Sequence, residues 1–398
     1  MRVAILGGGV TGLFTAYYLQ KDSLDVTVIE RDTAVKEASV YNAGLLTPSF
    51  APTPQLGLGM LLSSTIMRRG ALYFSLGQVL HDPSWYWTSL RKGLTGFEEK
   101  TIKFGNASLE LYHEFFKAEN LDPDMIPGVL GLYAKAEDAK SFAERFGGRF
   151  VGKSEIDQLG LHGLDGGVDL GGEISINPRK LVAQLSERVS KMGVQMITGK
   201  EAGLERDPNS SSRAVALIDG QHVECDKIIV TAGSWTRPLC AKLHYDAKIL
   251  PASGLAMIFD TGGRTLVKRP LLLEDYGVAI VQHNESMLRV TSFFEMVGFK
   301  KEYGASRRKW LFDVTRKHVI DLSSLKVIDE GIGFRPCTPD QFPLVGAIPG
   351  YENAFVASGN CRLGVTLAPA TAYMIKSMLS GQNYLEELRP SMSPSRFT

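Results

Sequence analysis

Gly7, Gly9 and Gly12 stand at the spacing G-x-G-x-x-G, directly after the apolar run Val3-Ala4-Ile5-Leu6 and ahead of a stretch where Leu13, Ala16, Tyr17 and Leu19 fit a helix. Each glycine has a physical task. The first permits a tight turn, the second lets a pyrophosphate reach backbone N–H groups at a helix N-terminus, and the third lets helix and strand pack closely. Asp25 to Glu30 reads as a second strand, and Glu30, 18 residues past Gly12, is placed to accept from ribose hydroxyls. Val10 and Thr11 open the helix and Arg31 follows the acid, so these residues join the expected binding set. The pattern points to a dinucleotide on a βαβ unit, and the glycines alone do not separate FAD from NAD.

Other chemistries find no foothold. The seven histidines show no metal spacing, no serine sits in G-x-S-x-G and no paired carboxylates stand out, so neither a metal site nor hydrolase chemistry is expected. Cys225, Cys240, Cys337 and Cys361 lie 15, 97 and 24 residues apart without any C-x-x-C pair, which argues against a disulfide scaffold, a zinc ribbon and attached haem. The 44 Lys+Arg against 43 Asp+Glu leave a formal charge of +1, so no global field favours nucleic acid or anionic lipid. The opening apolar run is too short for a secretory signal, and no window offers the roughly 18 apolar residues of a membrane span. A cytoplasmic location is expected. Hydrophobic residues make up 44% of the 398, enough for a large core in two or three domains.

The elements that must position this chemistry read as an α/β fold with an α+β second part. Residues 106–118 suggest an amphipathic helix, residues 147–172 a glycine-rich irregular stretch, and Pro178 a helix start. Val194 to Ile197 and Cys225 to Thr231 read as strands. Residues 248–297 are β-rich, residues 307–320 suggest a helix, and Ala354 to Ala357 form a strand leading through Gly359 to Gly364 into a last helix. The 41 glycines, about one residue in ten, concentrate at expected strand ends, where α/β proteins bind ligands.

Further segments recur in one family. Gly12-x-x-x-Ala16-x-x-Leu19, Asn42-Ala43-Gly44, Ile176-Asn177-Pro178-Arg179, Ala232-Gly233-Ser234-Trp235, Phe294-Glu295-Met296-Val297-Gly298-Phe299, Gly333-Phe334-Arg335-Pro336-x-Thr338-Pro339-Asp340, and Gly359 to Gly364 before Ala368-Pro369-Ala370 together resemble the FAD-dependent D-amino-acid oxidase superfamily. Of these, Asn42-Ala43-Gly44, Glu295-Met296-Val297-Gly298-Phe299 and the run from Gly333 to Asp340 look most like the catalytic subunit of dye-linked D-amino-acid dehydrogenases, and the tail resembles glycine oxidase. The resemblance implies a Rossmann-like FAD domain from residues 1–80, 172–236 and 330–398. It implies a substrate domain on a mostly antiparallel sheet from residues 81–171 and 237–329.

The resemblance also distributes roles. Arg335 is expected to hold the substrate carboxylate through two parallel charge-assisted hydrogen bonds, and Tyr276 to close over that carboxylate. Asn42, Ala43, Gly44 and Leu45 are expected along the flavin, with Ala232, Gly233 and Trp235 near the dinucleotide. Gly359, Asn360, Leu363, Gly364, Val365 and Thr366 form the loop against the flavin ring, where backbone N–H groups receive the negative charge of reduction. Asn360 stands where the family usually has histidine, and Arg362 is expected to supply positive charge there. Relatives that attach FAD covalently carry the cysteine further upstream than Cys337, so noncovalent FAD is expected and Cys337 reads as a small buried hydrophobe. The implied activity is oxidation of a D-amino acid, D-proline being the preferred substrate, to an imino or 2-oxo acid by hydride transfer to flavin N5. Electrons would pass to a dye or quinone acceptor. A glycine- or sarcosine-type oxidase using O₂ and a noncatalytic FAD-bound partner subunit are the rival readings. Leu56 to Leu80, with Leu61, Leu62, Met67, Leu72, Tyr73 and Phe74 around Arg68 and Arg69, suggests an amphipathic patch on the inner face of the cell membrane.

Overall fold

The structure, a computed structural model, describes residues 1–50, 70–92 and 97–397. Strand β1 (Arg2–Leu6), helix α1 (Val10–Lys21) and strand β2 (Asp25–Glu30) form the expected βαβ start. A continuous apolar strand such as β1 is stable only when covered on both faces, and Val3 to Leu6 are buried. They lie in a six-stranded sheet ordered Leu344–Ala347, Ala354–Ser358, Lys227–Val230, β1, β2 and Gln195–Thr198, parallel except for its first strand. One face is packed by α1 with the helices Phe97–Glu119 and Gly364–Ser380. Phe14 meets Tyr112 and Phe115 edge to face at 5.3 and 5.1 Å, a geometry that aromatic quadrupoles favour. Tyr112 donates from its hydroxyl to the Val365 carbonyl at 2.7 Å and so fixes the first turn of the last helix.

The second sheet has ten strands along two branches. Its main path runs Lys326–Cys337, Leu250–Asp260, Met287–Met296, Val278–Asn284, Leu271–Leu273, Ile126–Tyr133, Gly166–Ser175 and Leu45–Leu46. Pairing is antiparallel except that Leu271–Leu273 runs parallel to Ile126–Tyr133, and Leu72–Phe74 parallel to Met287–Met296. Leu255, Met257 and Phe259 alternate into one core with Ile280, Leu288 and Val290, under the helix Ala305–His318. The chain returns to the first sheet at Thr338–Asp340. There the Thr338 hydroxyl donates to the Phe342 carbonyl at 2.8 Å, and the buried Asp340 carboxylate accepts from Arg396 at 2.9 and 3.0 Å. Those two residues of the sequence motif therefore serve the turn.

Two expectations about elements need correction. The stretch 147–172 is ordered, with strands Arg149–Gly152 and Gly166–Ser175 around the helix Lys153–Gln158. Gly166 is there for closeness: a Cβ on it would sit 2.8 Å from the Ala136 Cα. The proposed membrane patch falls largely outside the described residues. Leu72, Tyr73 and Phe74 form a strand, and Phe74 is buried, so these three do not continue an amphipathic surface helix. Among the described residues no helix is long and apolar enough to cross a membrane.

One carboxyl is buried in this frame with little compensation. Glu173 accepts from the Ser49 N–H at 2.7 Å through Oε1, while its Oε2 has no partner. Burial pushes its pKa up to about 7, against the lowering effect of Ser49. A raised carboxyl contributes stability that is complete below its unfolded value near 4.5 and is lost as pH rises through 7. Glu173→Gln keeps the acceptor and removes the ionisation. Its melting temperature should match the parent's near pH 5 and exceed it by a few degrees at pH 8.5, measured by scanning calorimetry. A constant difference across that range would contradict the assignment.

Candidate functional site

A cavity of about 1010 Å³ runs from the glycine turn after β1, between the two sheets, to the second sheet's Arg335. This is at the upper end for ligand sites and matches an extended dinucleotide with room beyond it. Gly7 takes φ +115°, and a Cβ there would lie 2.7 Å from the Thr231 carbonyl oxygen. Gly12 stands back from the cavity, with its Cα so close to the turn that a Cβ would fall 2.0 Å from the Gly7 oxygen. Gly9, Val10 and Thr11 line the wall at the N-terminus of α1. Glu30 accepts from the N–H groups of Gly8 and Asp32 at 2.7 and 3.0 Å, which holds its carboxylate at the end of β2 facing the cavity. Arg31 lies over the Trp235 ring at 4.4 Å, and Trp235 stacks on Phe299 at 4.8 Å, giving the far wall an aromatic platform beside Ala232 and Gly233.

The middle of the cavity is backbone. Asn42 closes its own turn, donating to the Ala38 and Ser39 carbonyls at 2.8 and 3.0 Å and accepting from Gly44 N–H at 2.8 Å. Only glycine fits at 44, where φ is +73° and a Cβ would fall 1.9 Å from the Ile176 oxygen. Ala43, Gly44 and Leu45 line the wall opposite Asn360, Leu363, Gly364, Val365 and Thr366. Gly359, like Gly12, stands behind the wall. The buried Asn360 side chain accepts from Thr371 at 3.5 Å, so it is turned toward the last helix.

At the second sheet the cavity ends in charge. Arg335 donates from Nη1 to the Phe293 and Ser253 carbonyls at 2.8 and 3.3 Å. These carbonyls face it because the ladder is interrupted: the register between Leu250–Asp260 and Met287–Met296 shifts between Ser253 and Leu255, and Phe293 adopts φ +73°. Such bulges re-aim backbone groups beside functional sites, and a left-handed phenylalanine persists only where its surroundings hold it. Gly254 leaves the space the guanidinium fills, since a Cβ there would lie 2.3 Å from Nη1. Arg362 donates to the Phe50 carbonyl at 3.1 Å, and what it exposes is cavity wall, not outer surface. Burial lowers the pKa of both guanidiniums, that of Arg335 to about 10, so both remain protonated at neutral pH. Among the described residues neither guanidinium is hydrogen-bonded to a carboxylate.

Tyr276 lines the same end, its ring 4.6 Å from that of His318. The sequence reading missed three contributors. Ser39 accepts the Val10 N–H at 3.1 Å at the start of α1. The Thr231 hydroxyl donates to the Gly7 carbonyl at 2.7 Å. Glu274 lines the cavity, and burial pushes its carboxyl up to about 7, with Arg362 opposing the shift and Asp275 adding to it. Only its place beside Tyr276 hinted at it. Cys337 also needs correction: it is bonded to Cys361, while Cys225 and Cys240 are free. Two cysteines 24 residues apart carry no local pairing signal, and they meet because the end of one sheet's strand abuts the other sheet's loop. With its sulfur engaged, Cys337 has no thiolate for a flavin to attach to.

The residues present fit an FAD. An open glycine turn, a terminal acid, a backbone-lined middle and a cationic end lie along one cavity in the required order. Comparison with known proteins agrees. Residues 2–378 match the model of the family described as FAD dependent oxidoreductase. A D-amino acid dehydrogenase of Neisseria gonorrhoeae is 25% identical over 410 residues, covering 96% of each chain. Among solved structures, glycine oxidase from Geobacillus kaustophilus superposes with a TM-score of 0.77 at 20% identity over 99% of both chains. L-proline dehydrogenase from P. horikoshii gives 0.77 at 15% identity over 100% of this chain and 97% of its own. The chain belongs to the family of FAD-dependent oxidoreductases.

Proposed function

We propose that this flavoprotein oxidises the amine-bearing α-carbon of a small D-amino acid to the imino acid, with D-proline as the preferred substrate and a dye or quinone as electron acceptor. The observation that carries the reading is Arg335: a charged guanidinium at the end of the cavity, anchored on two carbonyls, with donors left over and, among the described residues, no carboxylate bonded to it. A planar fork of this kind binds a carboxylate through paired hydrogen bonds and thereby orients the α-carbon. The likeness in sequence to D-amino acid dehydrogenases supports the choice of substrate class.

FAD held by the glycine turn, Glu30 and the Ala43–Leu45 wall would supply the two-electron, hydride-accepting chemistry. The chain's own residues do the rest. Arg335 fixes the carboxylate and Tyr276 closes over it. Arg362 and the N–H groups of the Gly359–Gly364 loop place positive potential at the flavin end without titrating. The cavity wall excludes water and favours the neutral amine that hydride loss requires. Glu274 faces the same space as a proton acceptor for the substrate ammonium. Leu76, Leu80 and Trp87 are exposed on the helices Leu76–His81 and Pro83–Lys92 and support a peripheral membrane contact through which a quinone would be reached.

Arg335→Ala should retain the bound-flavin spectrum and lose at least about 100-fold in kcat/KM for carboxylated substrates, because a charge-assisted pair is lost. Unchanged kinetics in an anaerobic dye-reduction assay would sink the carboxylate role. A pH effect follows from Glu274. It is neutral below its pKa near 7 and negative above it, and it interacts with Arg362 across the same cavity. Benzoate affinity, read from the flavin spectrum, should therefore weaken several-fold between pH 6 and 8.5 in the parent. In Glu274→Gln it should stay flat and tight, and a parallel decline in both proteins would contradict this.

A further inference from the structure

The cationic end of the cavity is assembled from two parts of the chain. Arg335 comes from the last turn of pairing in the strand Lys326–Cys337, and Arg362 from the loop that precedes the helix Gly364–Ser380. Cys337 lies two residues after Arg335, on the same face of an extended strand, and Cys361 directly precedes Arg362. The two sulfurs are bonded. An isolated antiparallel bridge between Cys337 and Asn360 runs beside the bond. We propose that the Cys337–Cys361 disulfide is a positioning device that ties the strand of Arg335 to the loop of Arg362 and so sets the distance between the two guanidiniums that receive an anionic substrate. This rests on the carboxylate-binding reading of Arg335.

Several observations favour positioning over mere cross-linking. Among the described residues each arginine is hydrogen-bonded at its tip by backbone carbonyls alone: Arg335 by Ser253 and Phe293, Arg362 by Phe50. Two like charges facing one space repel, so without an anion between them their spacing has to come from the backbone. Cys361 sits at φ +44°, a left-handed conformation that residues other than glycine seldom adopt, and this aims the next residue, Arg362, at the cavity. Free to relax, that residue would swing its neighbour with it. Both cysteines are buried, packed with Phe74, Trp85, Leu250 and Met296, so the bond is shielded from solvent thiols. Cys240 is equally buried and stays free, so burial by itself does not pair the cysteines of this chain.

The test uses the FAD-loaded protein and its Cys337→Ala/Cys361→Ala variant. Thiol titration of the unfolded parent without reductant should count two free thiols, Cys225 and Cys240; a count of four overturns the proposal. Benzoate and its neutral analogue benzamide are then titrated against the flavin spectrum. The variant should bind benzoate at least about 10-fold more weakly while benzamide affinity and FAD content hold, so that the preference for the anion collapses. A lower melting temperature with the benzoate-to-benzamide ratio unchanged means a purely structural bond and overturns the proposal. Should the variant lose FAD, parent protein reduced with a phosphine under argon, and shown to carry four thiols, gives the same comparison. Failure of the parent to prefer benzoate over benzamide, with two free thiols counted, instead overturns the carboxylate reading, and the proposal with it.

Discussion

Arg335 carries a full charge into the wall of the cavity and is met there by two backbone carbonyls and, among the described residues, by no carboxylate. Removing an ion from water costs several kcal/mol, and peptide dipoles recover only part of that. The second sheet is arranged around this cost. Its ladder breaks at Ser253, Phe293 turns left-handed to offer its carbonyl, and Gly254 gives up a side chain to make room. Tyr303 supports the arrangement from behind, hydrogen-bonded to Ser253 at 3.0 Å. Beneath them the buried pair of Arg307 and Glu295 holds the bulged strand to the helix Ala305–His318. On the proposed reading an anionic ligand would supply the missing half of the interaction, which would make the cavity selective before any contact to the rest of a substrate is made.

The opposite end of the cavity combines backbone groups and a carboxylate with a stacked cation, Arg31 over Trp235. There the dinucleotide is expected on backbone N–H groups at the start of α1 and on the Glu30 carboxylate, each held by local hydrogen bonds. Between the two ends lie the segments Ala43–Leu45 and Asn360–Thr366, the first held so close to Ile176 that glycine is obligatory at Gly44. The fold thus separates its tasks. The parallel sheet presents rigid strand ends to a long cofactor, and the antiparallel sheet tunes a short cationic pocket by a bulge.

How much of this could be read in advance varies with the range of the interaction. The βαβ start was legible because its rules are local: a run of apolar residues, three glycines at fixed spacing and an acid at the end of the next strand. That Arg335, Tyr276 and Asn360–Thr366 would share one cavity was legible through family resemblance alone, since nothing about an isolated arginine in a strand announces a ligand. Long-range consequences stayed hidden. The bulge at Phe293 depends on which strands pair, Glu274 acquires its raised pKa only when the fold buries it, against the lowering effect of Arg362, and Cys337 meets Cys361 only after both sheets exist. The stretch 147–172 misled because Gly166 and Gly167 serve close packing within a strand, whereas the usual local meaning of glycine is a turn.

The central claim is that a carboxylate on Arg335 presents the α-carbon for oxidation. It is met most directly by anaerobic titration of the yellow protein with D-proline and, separately, with pyrrolidine, the same ring without its carboxylate, followed at the flavin absorbance band. Bleaching by D-proline at concentrations where pyrrolidine leaves the flavin oxidised is the expected result. Equal bleaching by the two, or none by D-proline and every other D-amino acid tried, would contradict it.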